Sequence, residues 1–145
     1  MAVVRDILEK KGSQVWTIGP DATVLQAALV MNEHKIGATL VTDGGRVVGV
    51  FSERDVLRRV VGEQRDPAGT RVAEVMTQEV VCCTPETTLE EAGGAMMTRR
   101  IRHLPVVDGG GQLLGVVSIG DLNAYRQADQ EQTIFLLNEY LYGRV

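Results

Sequence analysis

A chain of 145 residues with 44% hydrophobic and 23% charged side chains has enough apolar material for one ordinary core, or for two small halves sharing one. Its net charge of −4 and 4% aromatic content argue against a nucleic-acid surface built on charge or base stacking. No apolar run approaches the roughly 20 residues of a membrane span, and the start Met1–Asp6 lacks the basic-then-apolar pattern of a signal peptide. The expectation is a cytoplasmic protein without a membrane partner.

Gln14–Ile18 reads as a short strand stopped by Gly19 and Pro20. Thr23 and Gln26 have capping-box spacing and predict a helix with Val24, Ala28 and Met31 on its apolar face. Ala38–Thr42 and Val47–Phe51 then form strands joined by an Asp43-Gly44-Gly45 hairpin turn. A second helix is expected to start through Ser52-Glu53-Arg54-Asp55. Residues 63–70, rich in Gly, Pro and charge, read as a linker after a first unit at 1–62.

The order then recurs over 71–126. Val80–Cys83 is strand-like, and Thr88 with Glu91 repeats the capping box, followed by a face of Leu89, Ala92 and Met96. Gly93 and Gly94 inside that helix each cost about 1 kcal/mol against alanine, which suggests close helix packing. His103–Val107, the turn Asp108–Gly111 and Leu113–Val117 make a second hairpin, and Ser118-Ile119-Gly120-Asp121 opens another helix. Beyond Tyr125 a polar helix is expected, with Ile134, Leu137, Tyr140 and Leu141 as an apolar stripe; residues 127–145 form a tail.

Residues 20–55 overlay 85–121 with one inserted glycine, giving 13 identities in 36 positions against roughly two or three expected by chance. The identities include Pro20/Pro85, Met31/Met96, Asp43/Asp108, Gly49/Gly115, Ser52/Ser118 and Asp55/Asp121. The chain is therefore α+β: two pseudo-symmetric β-α-β-β-α repeats packed as one module, with a C-terminal helix. Cys82 and Cys83 have neither a second cysteine pair nor histidine spacing for zinc, so no metal is expected. His34 sits at a helix end, where dipole and surface contacts account for it. Around His103 no third group supports a general base, and neither a catalytic triad nor a P-loop is present. The chain does not read as an enzyme.

Two units containing Ile101–Asp108 with Gly115–Asp121, and Ile36–Asp43 with Gly49–Asp55, resemble a tandem pair of cystathionine-β-synthase (CBS) domains, in the stand-alone form found in bacteria. Leu40, where the family often has proline, departs mildly from that pattern. The resemblance implies a regulatory module that dimerises with a second copy. It would bind an adenine nucleotide (AMP, ADP, ATP or NADH) in clefts between the repeats and pass this to a partner protein. Alternatives are a dimerising adaptor with no ligand, or an enzyme acting on nucleotides or using Cys82 and Cys83 for redox chemistry.

Carried over by resemblance, Asp121 and Ser118 hold ribose and phosphate while Val15, Ile36 and Ala38 line the adenine. The mirror site uses Asp55 and Ser52 with Val80, Ile101 and His103. The residues themselves support this, because a helix N-terminus suits a phosphate and a carboxylate can accept ribose hydroxyls. Cations distinguish the copies: Arg102 stands where the first repeat has Gly37, and Arg54 where the second has Gly120. Lys35 and Arg100 precede the strands and can help either site. Two unequal sites are expected, with Asp121 the stronger.

Overall fold

The computed structural model describes residues 1–12 and 14–129. In chain order these form α1 (Val4–Lys11), β1 (Thr17–Ile18), α2 (Val24–His34), β2 (Ala38–Asp43), β3 (Arg46–Ser52) and α3 (Glu53–Asp55). They continue with a π-helical turn at Val56–Val61, then α4 (Val72–Val75), α5 (Leu89–Arg99), β4 (His103–Val107), β5 (Leu113–Ser118) and α6 (Ile119–Asp129). The α+β character expected from the duplication is present. α6 passes through Tyr125 without a break, and the expected stripe from Ile134 to Leu141 lies outside the described residues.

Both capping boxes form: Thr23 accepts from the Gln26 N–H and Thr88 from the Glu91 N–H, each at the start of an 11-residue helix. Val24, Ala27 and Met31 are the buried stripe of α2, so Ala27 takes the place expected for the half-buried Ala28. Their spacing of three then four keeps one straight face. In α5 the stripe is Leu89, Ala92 and Met96, as expected. Gly93 faces Leu122 and Arg126 of α6, whereas a side chain at Gly94 would meet open space. An added Cβ at Gly93 would meet Leu122 at 3.6 Å, an ordinary contact, so the close approach expected from the two glycines is required at neither position.

The first repeat's three strands run in the order β1-β2-β3, with β1 parallel and β3 antiparallel to β2. Asp43 pairs with Arg46 across Gly44 (φ 60°) and Gly45 (φ 83°), a two-residue turn whose positive φ values favour glycine. In the second repeat the inserted glycine lengthens the turn: Gly111 takes φ 83°, and Asp108 Oδ1 accepts from the Gly110 and Gln112 N–H groups.

The strand expected at Val80–Cys83 does not form; it shrinks to a single parallel bridge between Cys83 and Val106. Cys83 donates to the Pro105 carbonyl at 2.8 Å and accepts from Val107 at 2.9 Å. Pro105, at the position of Leu40, has no N–H with which to extend that ladder.

Packing divides the chain into two compact units that do not follow sequence order. One joins the N-terminal segment through α1 with Cys82–Val107 and residues 114–129; the other joins Gln14–Val81 with Asp108–Leu113. Each leading helix thus packs with elements of the opposite repeat. In the first unit Val4 N–H donates to the Thr87 carbonyl at 2.8 Å, and Val3 bridges Thr88. In the second, Val72 N–H donates to the Ala22 carbonyl at 2.8 Å, and Arg71 bridges Thr23. The core of the second unit is Val24, Ala27, Met31, Val41, Phe51, Val60, Val72 and Val75. In the first unit Val4, Ile7, Leu89, Met96, Leu104 and Val117 are buried.

Candidate functional site

Each repeat runs from a strand straight into a helix through Ser-x-x-Asp, and the two starts are built alike. The Ser52 hydroxyl accepts from the Asp55 N–H at 3.2 Å, and the Ser118 hydroxyl accepts from the Asp121 N–H at 3.0 Å. In return the carboxylates accept from the serine N–H groups, at 3.0 Å in the first copy and 2.8 Å in the second. The Gly37 carbonyl takes the Glu53 N–H at 2.9 Å, and the Arg102 carbonyl takes the Ile119 N–H at 3.0 Å. The first and third N–H groups of each helix start are therefore engaged, and a phosphate would find at most the second.

The carboxylates differ in what else they touch. Asp55 is buried, its side chain 8% exposed. Its Oδ2 also accepts the Ser52 hydroxyl at 3.1 Å, and its Oδ1 accepts the Thr77 hydroxyl at 3.1 Å with Arg59 Nε 3.8 Å away. Asp121 is 23% exposed. Its Oδ2 accepts the Lys11 ammonium at 2.7 Å, and its Oδ1 has no partner among the described residues. Burial alone would raise the Asp121 carboxyl, but the Lys11 hydrogen bond, the Ser118 N–H and the lysine's charge outweigh it. They hold the pKa below the ordinary aspartate value.

Lys11 and Thr77 went unseen in the sequence because the duplication was followed only from Pro20 onward. The leading helices extend it upstream: Val4-Arg5-Asp6-Ile7 matches Val72-Ala73-Glu74-Val75, each with an acidic side chain accepting the N–H of the residue before the helix. Thr77 exchanges backbone bonds with Val50 at 2.9 Å each way while its hydroxyl reaches Asp55. Lys11 reaches the equivalent pair with one ammonium, donating to the Val116 carbonyl at 3.0 Å and to Asp121. α1 is 8 residues long against 4 for α4, so a long side chain does the work that backbone and hydroxyl do in the other copy.

Arg102 and Arg54 are exposed, and neither side chain has a partner among the described residues. Ala38 is exposed at the start of β2 opposite Ser52, and Ile36 is half-buried against the core of its own unit. Val15 and Val80 are half-buried outside any strand. Ile101 is half-buried and His103 exposed at the start of β4. The structure thus brings Ala38 to Ser52 and Asp55, and Arg102 by its carbonyl to the Ser118–Asp121 start. Val15, Ile36 and Ala38, expected beside Asp121, belong to the other unit. His34 lies in the last turn of α2 and stacks on the exposed Trp16 with ring centroids 3.7 Å apart, a surface contact at the expected helix end. Cys82 is exposed and Cys83 buried, and burial followed by the neighbouring Cys82 pushes the Cys83 thiol up to about 11, away from thiolate chemistry. No metal-binding group of three ligands occurs among the described residues.

These features define a duplicated α+β module in which each repeat carries a Ser-x-x-Asp helix start. The CBS domain model matches residues 4–62 and 72–127, each match beginning at a leading helix, and the chain belongs to the CBS-domain family. It is 35% identical over 138 residues to the CBS domain-containing protein YhcV of Bacillus subtilis, covering 95% of both chains. The structure of a CBS-domain protein from Burkholderia ambifaria superposes with a TM-score of 0.76 at 41% identity, over 89% of this chain and 96% of that one. The CBS pair of protein MJ0100, solved with 5′-methylthioadenosine and S-adenosylmethionine, gives 0.73 at 21% identity over 90% and 99%; that likeness is one of fold. Stand-alone CBS pairs are generally regulatory, non-catalytic modules. No helix among the described residues is long and apolar enough to cross a membrane.

Proposed function

We propose that this chain is a cytoplasmic, homodimeric sensor that binds an adenosine-containing ligand and passes its occupancy to a partner protein. The ligand class is AMP, ADP, ATP or NADH, held by Asp121 and Ser118 with Arg102 toward the phosphates. Val15, Ile36 and Ala38 would receive the base. The observation that carries this reading is the Asp121 carboxylate: partly exposed, with Oδ1 free among the described residues, at a helix start. A free carboxylate oxygen there is suited to ribose hydroxyls.

At Asp55 the same motif is buried and both oxygens are occupied from within the unit. This favours a structural part for Asp55 and Ser52 in the empty protein, and a second site there, with Arg54, Val80, Ile101 and His103, is the weaker one. Regulation requires the ligand to bind two arrangements of the protein unequally, with a typical coupling of about 1–3 kcal/mol.

Calorimetric titration with AMP, ATP and NADH tests the reading. Asp121→Asn is expected to weaken binding by about 10-fold or more, since hydrogen bonds to a charged group contribute roughly 1.5–3 kcal/mol. Absence of binding by every one of these ligands would leave the dimerising adaptor as the function. Binding indifferent to Asp121→Asn would remove the site.

A further inference from the structure

The carboxylates of the two Ser-x-x-Asp helix starts are held by different chemistry. Asp55 is gripped by Thr77, whose hydroxyl and backbone are fixed to β3. Asp121 is gripped by the tip of Lys11, which also holds the Val116 carbonyl. Releasing Asp55 means unpacking a chain segment; releasing Asp121 needs only rotation of a lysine side chain that is 37% exposed. A hollow of about 150 Å3 beside the pair, lined by Ile7, Lys10, Lys11, Asp121, Ala124 and Tyr125, gives the ammonium room to move. Lys10 is engaged elsewhere, 4.9 Å over the Tyr125 ring, so Lys11 is the cation at this carboxylate.

We propose that Lys11 is a built-in occupant of the ribose carboxylate and the residue that makes the Asp121 site select anionic ligands. Its ammonium holds Asp121 Oδ2 at 2.7 Å. A ribose that donates one hydroxyl to each carboxylate oxygen takes the free Oδ1 and displaces the ammonium from Oδ2, and the displaced ammonium then pairs with the ligand's phosphate. A neutral nucleoside must break the same ion pair and offers the lysine nothing in return. The Asp121 site therefore prefers nucleotide to nucleoside through Lys11, in addition to any help from Arg102. This inference rests on the proposed adenosine-ligand function.

The test compares AMP with adenosine by calorimetry on the full chain, using wild type, Lys11→Met, Lys11→Arg and Asp121→Asn. Methionine keeps the aliphatic stem and removes the charge. A partly exposed ion pair is weak and a charge-assisted bond to phosphate is stronger. Lys11→Met is thus expected to gain about 2–5-fold for adenosine and to lose about 10-fold for AMP, so the AMP preference collapses, while Lys11→Arg retains it. Binding by Lys11→Met where wild type shows none supports the same occupant role. Asp121-dependent binding whose AMP-to-adenosine ratio is unchanged in Lys11→Met overturns the role of Lys11 and leaves the function standing. No binding by any form, or binding untouched by Asp121→Asn, overturns the function and Lys11's role with it. Should Lys11→Met fail to fold, the Lys11 Nζ resonance of the wild-type protein decides: it moves on AMP titration if displaced, and a stationary signal refutes the proposal.

Discussion

At the scale of single residues, one motif produces two carboxylates in different surroundings, and their neighbours show why. Ser-x-x-Asp gives each the same backbone bonds, but Asp55 adds a hydroxyl and burial while Asp121 adds a cation and exposure. The lowered pKa of Asp121 ties this to stability. A carboxyl depressed in the folded state stabilises the protein above its unfolded pKa of about 3.9, and the contribution is lost as pH falls from there through the folded value. Wild type is therefore expected to lose stability more steeply below about pH 4 than Asp121→Asn, as read by urea denaturation across the acid range. Parallel curves would mean the Lys11–Asp121 pair is not maintained in solution. The motif was visible in the sequence and its unequal surroundings were not, because Lys11 and Thr77 lie upstream of the aligned copies at positions that differ in type.

At the scale of elements, the features carried by local chemistry were legible. Both capping boxes, the glycine turns and the extra glycine that lengthens the second turn follow from residues adjacent in sequence. What escaped depends on a distant partner or on a small change of helical pitch. The missing strand before Thr84 traces to Pro105, more than 20 residues away. The π-helical turn after Asp55 places the Gly62 N–H on the Leu57 carbonyl and the Arg65 N–H on Val60, a pitch that apolar spacing over six residues does not distinguish from an α-helix.

The repeated glycines of β3 and β5 show how one residue serves both copies. A Cβ at Gly49 would lie 2.6 Å from Met76 Sδ and 2.9 Å from the Thr77 carbonyl; at Gly115 it would lie 2.8 Å from Leu8 Cδ2. A leading segment lies against each strand, and an added Cβ would crowd it at both positions. A methionine or leucine tip can turn aside, but the Thr77 backbone is held by its bridge to Val50. Gly49→Ala is accordingly expected to cost about 1–3 kcal/mol, in the range of overpacked cores, and more than Gly115→Ala. Denaturant midpoints at unchanged slope measure both. Equal costs would show that the Thr77 backbone gives way as readily as the Leu8 side chain.

At the scale of the whole molecule, duplication has been combined with an exchange of leading segments. Sequence order alone assigns α1 to the first repeat, whereas its contacts lie with the segment before α5, with β5 and with α6. Val4 and Ile7 of α1 are 0% and 3% exposed, and complete burial of such side chains contributes about 1.5–3 kcal/mol each. Against a typical domain stability of about 5–15 kcal/mol, deleting residues 2–11 removes a large share. The location of the damage separates the two descriptions. If packing governs, hydrogen exchange accelerates most in 82–107 and 114–129, while amides of β2 and β3 keep more of their protection. If the chain were built in sequential halves, the loss would fall on 14–62. The same deletion removes Lys11 and leaves the Asp121 carboxylate without its cation. Local opening near Asp121 is therefore the expected signature of an N-terminal helix that belongs, in space, to the second repeat.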